Sequence, residues 1–381
     1  MAATLWHRAV AILTSIYVLR MLGMFMIFPV FSLYATRLEG ATPALVGVAL
    51  GVYGLTQAML QIPYGKLSDR FGRRPLIVVG LGLFIVGSVI AAMADSITVM
   101  IIGRTIQGMG AISAVTLAFA TDVVPKERLS TVMAIIGGSI GMAFVLSLII
   151  GPLIAHWIGV DGLFWLIAGM TTLALISVYF LHDSRGHSAS DSEHTAANID
   201  KRGLWQASAA VFVLHGVFSA TFLVLPFLLV GEGLDKSVHW WVYLPANIIA
   251  MAFMRVKATP HPLNFAISFI ILAIGLALMT QGFSLWGLGI AVTVYFIAFY
   301  RLETGLPHWV ANVADPQSRG QAMGIFSTAQ FGGSFIGASL AGVLWQQMNS
   351  EFSVLMALLV CTAIAALALL FIGKKATLNK H

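Results

Sequence analysis

The chain has 381 residues, of which 59% are hydrophobic and 9% charged, with a mean hydropathy of +0.92. A soluble domain carries about a quarter charged residues, so this composition excludes one and predicts an all-α polytopic protein dissolved in a lipid bilayer. A net charge of +6 and a pI of 9.5 invite a nucleic-acid reading, but the cations are scattered over many short connections instead of forming one face, which excludes it.

A spanning helix needs roughly 20 predominantly apolar residues. Such segments are predicted over Val10 to Ala35, Thr42 to Tyr64, Pro75 to Ala94, Ile97 to Val123, Leu129 to Ile158, Gly162 to Leu181, Leu204 to Val230, Val238 to Met254, Leu263 to Gly282, Leu285 to Val313, Gln321 to Trp345 and Phe352 to Ile372. Their length and continuity exclude a β-barrel, whose strands alternate and stay near ten residues. The eighth is short and holds Pro245 and Asn247. With the amino terminus inside, the cations of the connections fall on the cytoplasmic side, against only Arg37 and Lys236 outside. The positive-inside rule then places both termini in the cytoplasm. Cys361 is the only cysteine, so neither a disulfide framework nor a cysteine-based metal site is expected.

The longest polar interruption, rich in Ser, Asp, His and Asn, divides the chain into 1–182, a linker at 183–203, and 204–381 with a short tail. A faint internal repeat agrees with that division. Asp122, Pro125, Arg128 and Met133 echo Asp315, Pro316, Arg319 and Met323, each copy leading into a glycine pair, Gly137-Gly138 or Gly332-Gly333. Two related six-helix halves are a common plan of secondary transporters.

The connection Gly65-Lys66-Leu67-Ser68-Asp69-Arg70-Phe71-Gly72-Arg73-Arg74 gathers four cations and a carboxylate around two glycines. Gly65 and Gly72 allow a tight turn, and Pro75 suits the first turn of the next helix. Asp69 can cap the start of a neighbouring helix, and Arg70 or Arg73 can reach Asp122. The plainer alternative is that these cations only fix the topology.

Ionisable residues within lipid are costly and tend to mark pathways. Arg20, Arg104, His215, Arg301 and Glu303 are the deep ones. Glu303 is the first choice of proton carrier, with a salt bridge to Arg301 or Arg104 as the structural alternative. His215 is the second, its titration range lying near physiological pH, with a packing role as the alternative. Arg104 reads as ordering the fourth span or sensing protonation, and Arg20 as snorkelling or pairing with a carbonyl. Phe25, Phe28, Gln57, Tyr295 and Trp309, with Arg20 and Arg301, are candidates for an amphiphilic substrate cavity.

Several of these stretches resemble one family. The loop from Gly65 to Arg74 resembles the signature loop of major facilitator superfamily transporters, and Arg104-Thr105-Ile106-Gln107-Gly108-Met109-Gly110-Ala111 resembles their fourth-helix motif. Leu22-Gly23 with Pro29-Val30 is similar to the first-helix motif of twelve-span drug/proton antiporters. The runs Leu19 to Met26 and Tyr53 to Ala58 are similar to the YajR-like branch. In the fifth span Gly138, Gly151 and Pro152 match the antiporter motif, whereas Ser147, Ala155 and His156 stand where glycines are usual. Met254 to Ala258 resembles a degenerate second copy of the loop. The resemblance implies a major facilitator fold of two six-helix bundles, with spans one, four, seven and ten lining a central cavity. It also implies that the charge cluster at Asp69, Arg70, Arg73 and Asp122 holds one conformational state.

The expected protein is therefore a monomeric secondary transporter in a bacterial plasma membrane, exporting a small amphiphilic solute in exchange for protons. No cofactor, metal or nucleic-acid partner is expected. A metabolite symporter or facilitator is the alternative within transport. A polytopic membrane enzyme is the alternative of another class, which no paired intramembrane carboxylates, metal-spaced histidines or nucleophile motif supports. No Gly-x-x-x-x-Gly-Lys-Ser/Thr loop is present to drive an ATP-powered pump.

Overall fold

The computed structural model describes residues 2–181, 199–253, 261–281, 284–315 and 318–378. Among them the regular structure is helical: α1 (Ala2–Ala35), α2 (Pro43–Phe71), α3 (Arg73–Ala92), α4 (Ile97–Met109), α5 (Ser113–Val123), α6 (Lys126–Val178), α7 (Lys201–Gly231), α8 (Trp240–Phe253), α9 (Pro262–Met279), α10 (Leu285–Val313), α11 (Arg319–Met348) and α12 (Glu351–Leu378). A short 3-10 turn at Lys236–Val238 precedes α8. The linker falls mainly at 182–198 and the degenerate loop copy at 254–260, both outside the described residues.

Two boundaries differ from the expectation for identifiable reasons. First, α2 does not stop at Tyr64 but runs to Phe71, because Lys66, Leu67 and Arg70 are good helix formers and no proline interrupts them. The expected ten-residue charged loop thus narrows to Gly72, whose φ of 95° is open to glycine, and α3 starts at Arg73. Second, the predicted fourth span breaks into α4 and α5 at Gly110, Ala111 and Ile112. Ser96 caps α4, its side chain accepting from the Val99 amide. The division expected between the fifth and sixth spans, after Ile158 and before Gly162, falls at Gly159, whose φ of 75° and ψ of 173° break α6 into two helical stretches.

The chain forms two compact units, one of Met1–Ala41 with Val52–Thr195 and one of Thr42–Gly51 with Ala196–His381. In the first, α1 packs on α5 and α6, and α3 packs on α4 and α6. A Cβ at Gly103 would lie 2.7 Å from the Ala91 amide nitrogen, so backbones meet where α3 crosses α4. In the second, α7 packs on α10, α11 and α12, while α9 and α10 pair and α9 lies on α12. There Gly337 of α11 meets Gly216 of α7.

Nine helical segments among the described residues are long and apolar enough to cross a bilayer, with α4 and α5 taken together as Ile97–Val123; α6 is one of them and carries two predicted spans. Only α8 and α11 fall outside that set: α8 has 14 residues, and α11 is the more polar. Trp157, Tyr179, Trp205, Trp241 and Trp286 are more than half exposed and sit near helix ends or the Gly159 joint, where an aromatic belt meets the bilayer interface.

Candidate functional site: two polar clusters within the spans

Each unit holds a hydrogen-bonded cluster in otherwise apolar helices. In the first, Arg20 of α1 is 2% exposed and donates to Ser113 Oγ at 2.7 Å, Tyr53 Oη at 2.9 Å and Gln57 Oε1 at 2.6 Å. Gln57 donates in turn to Ser113 at 3.3 Å. Arg20 is therefore neither snorkelling nor bound to a helix carbonyl: three neutral side chains from α2 and α5 hold it.

Arg104 of α4 is fully buried. It donates to Gln107 Oε1 at 2.7 Å, and Gln107 donates to Ser88 Oγ of α3 at 2.9 Å. Its Cζ lies 5.0 Å from the centre of the Tyr53 ring and 5.8 Å from that of Phe31, a cation–π sandwich. Gln57 is fully buried, and Phe25 packs edge-on against Phe144 at 4.9 Å.

The second cluster joins α7, α10 and α11. His215 Nε2 stands 2.9 Å from Glu303 Oε2. Gln330 Nε2 lies 2.8 Å from the same imidazole nitrogen and donates to Glu303 Oε1 at 3.3 Å. A hydrogen bond across that distance is made either by N–H donating to carboxylate or by carboxylic O–H donating to nitrogen. Nε2 has one lone pair or one hydrogen to offer, so Gln330 and Glu303 compete for the same atom of His215. The imidazole side chain is 13% exposed and the Glu303 side chain 35%. Phe218 and Phe299 flank the imidazole.

Arg301, the expected salt-bridge partner on the same helix, does not pair with Glu303. Arg301 points its Nε at Ser268 Oγ, 3.4 Å away, because residues two apart on a helix do not share a face. Tyr295 is 1% exposed and lies parallel to Phe299, and Trp309 stacks on Phe265. Gln330, Ser113, Gln107 and Ser88 were not among the expected site residues. The available signal was an amide or hydroxyl within an apolar span, which by itself does not separate a site residue from a helix-packing one.

At the α2–α3 junction, Arg73 makes the contacts expected of either arginine: its Nη1 is 2.5 Å from Asp69 Oδ1, its Nε is 3.0 Å from Asp122 Oδ2 and it donates to Ser68 Oγ at 2.6 Å. Arg70 instead stacks over Phe71. The expectation that Asp69 caps a helix is corrected: Gly72 is the N-cap of α3, with no side-chain cap, and Asp69 spends its oxygen on Arg73 four residues on. Gly65 has open space around it. In α6, a Cβ at Gly151 would collide with the Met26 carbonyl, while one at Gly138 would meet nothing within 4 Å. Close packing is thus a property of Gly151, beside Pro152, and not of Gly138.

Long apolar helices, buried charges held by neutral side chains and small-residue crossings define a multi-pass membrane protein. Residues 13–304 match the model of the Major Facilitator Superfamily, and the chain belongs to that family of transporters. It is 38% identical over 350 residues to the inner membrane transport protein YajR of Escherichia coli K12, covering 88% of this chain and 77% of the relative. It is 28% identical over 357 residues to the multidrug resistance protein MdtL of Klebsiella pneumoniae, covering 87% of each. Among solved structures, a bacterial homologue of the human lysosomal transporter Spinster, inward-facing and occupied, superimposes with a TM-score of 0.77 at 15% identity over 96% of each chain. The human organic anion transporter MFSD10 does so with a TM-score of 0.70 at 16% identity, over 96% of this chain and 99% of the other. At those identities the structures speak for the fold alone.

Proposed function

We propose that this transporter exports a small amphiphilic solute in exchange for protons by alternating access, with Glu303 carrying the proton, His215 exchanging it with Glu303, and Arg104 responding to its presence. The single observation behind this reading is the 2.9 Å contact between His215 Nε2 and Glu303 Oε2. Such a contact lets a proton pass directly between the imidazole nitrogen and the carboxyl oxygen. The names of two relatives, a transport protein of an inner membrane and a multidrug resistance protein, support a bacterial inner membrane and an exported, drug-like solute.

In this reading the protein acts as a monomer with both termini in the cytoplasm. Residues 1–182 and 204–381 are the two bundles and 183–203 the linker. Gly65, Asp69, Arg70, Gly72, Arg73 and Asp122 govern the balance of states, Gly138, Gly151 and Pro152 form the antiporter-like segment of α6, and Arg20, Phe25, Gln57, Tyr295 and Arg301 contact the solute.

Flux in proteoliposomes tests it, using a panel of fluorescent dyes, drugs and metabolites with an imposed pH gradient. Solute movement against the direction of proton flow is the expected outcome. Movement that ignores the gradient identifies a facilitator, co-directional movement a symporter, and chemical turnover of a panel compound without flux an enzyme.

A further inference from the structure

The interior of the first unit carries two guanidinium charges, and neither is neutralised. Arg20 is 2% exposed and Arg104 fully buried. Every hydrogen bond they make ends on a neutral group: Ser113, Tyr53 and Gln57 for Arg20, and Gln107 for Arg104. The Arg104 Nε and Nη2 atoms, and the Arg20 Nε, have no hydrogen-bond partner at all.

The two cations also share a residue. Tyr53 offers its hydroxyl to Arg20 at 2.9 Å and its ring face to Arg104 at 5.0 Å, so two like charges bracket one side chain. Among the described residues of this unit no carboxylate pairs with either guanidinium. Among the described residues Asp69, Asp122, Glu127 and Glu351 lie in the end turns of their helices and Asp161 follows the Gly159 joint. Glu303, the one carboxylate deep in a span, belongs to the other unit and faces His215.

Burying a charge without a counter-charge is among the most expensive things a fold can do. A neutral hydrogen-bond acceptor satisfies donors but leaves the charge in place. Arginine is also the side chain that matches a carboxylate, sulfonate or phosphate through two parallel N–H donors, and Arg104 keeps two of its nitrogens unpaired.

We propose that Arg104, with Arg20 on the other side of Tyr53, is the binding point for an anionic headgroup, and that the exported solutes are organic anions with an apolar body. Phe31 and the Tyr53 ring, which sandwich the guanidinium, supply the apolar wall beside the charge. The proposal rests on the transport reading above and narrows its substrate class. It assigns Arg104 a direct contact with solute in addition to its response to protonation.

The test uses three probes with one ring system, 1-naphthalenesulfonate, 1-naphthylmethylammonium and 1-naphthalenemethanol, titrated calorimetrically at fixed pH against the full chain in neutral-lipid nanodiscs. The parent is expected to bind the sulfonate at least tenfold more tightly than either other probe. Arg104→Gln should remove that preference while leaving the alcohol's affinity within about twofold, Arg104→Lys should restore part of it, and Arg20→Gln should weaken it to a smaller extent. A thermal melt of each variant separates lost binding from lost folding, and the parent's own ranking of the three probes stands whether or not a variant folds. Equal affinities in the parent, no binding of the sulfonate, or an unchanged preference in a folded Arg104→Gln protein would each overturn the proposal. Because no pH gradient is imposed, this result is independent of proton coupling. Anion preference without gradient-driven flux would remove the coupling and keep the anion site.

Discussion

Gly151 and Gly138 separate two uses of one residue type. At Gly151 the α1 backbone fills the space a methyl group would need, and at Gly138 nothing does. Gly151→Ala is therefore expected to push α6 off α1 and cost about 1–3 kcal/mol, as overpacking of a close contact does. Gly138→Ala should be neutral or stabilise by up to about 1 kcal/mol through helix propensity. Melting of both variants in the same detergent checks this, and an unaffected Gly151→Ala protein would contradict the crossing. The sequence marks both glycines alike, since spacing records where a side chain is missing and not what occupies its place. The same limit explains Gln330: the ionisable residues in the spans announce themselves by their cost in lipid, whereas an amide in α11 acquires its meaning only when folding brings it to His215 and Glu303.

At the scale of elements, the α2–α3 junction shows what a motif leaves undecided. Its residue types say that a cation will meet Asp122, but the choice between Arg70 and Arg73 is set by helix phase. Once α2 extends to Phe71, Arg73 lies beyond the Gly72 turn, where it reaches Asp69, Ser68 and Asp122 together. Arg73→Gln should cost about 1 kcal/mol of stability, the scale of a partly exposed ion-pair network. It should also change the labelling of single-cysteine probes placed at the two membrane faces. Arg70→Gln, which gives up only a stacking contact with the neighbouring ring, should change both readouts little. Equal effects from the two substitutions would mean that total charge matters and the network does not. Apolar runs predict the spans well because lipid enforces them, and α10 falls where expected, at Leu285–Val313. The breaks are less legible. Gly110 ends a helical run that hydropathy alone would continue, whereas the break at Gly159 falls in the gap left between the two predicted spans.

For the whole molecule, two units with opposite polar content emerge from one apolar chain. One holds two guanidinium groups among neutral partners, and the other holds an imidazole and a carboxyl group in hydrogen-bond contact. The class of protein and its family were readable from composition and the motifs of the first half. The pairing of His215 with Glu303, separated by 88 positions along the chain, was not, because each was singled out for its own cost in lipid and nothing in the spacing links α7 to α10. The most direct measurement of the coupling compares the parent with Glu303→Gln in proteoliposomes, reading gradient-driven flux and solute-for-solute exchange of one transported dye side by side. An amide cannot carry the proton but keeps the shape of the side chain, so the expected result is loss of gradient-driven flux with exchange preserved. Gradient-driven flux equal to that of the parent would contradict a proton held at Glu303.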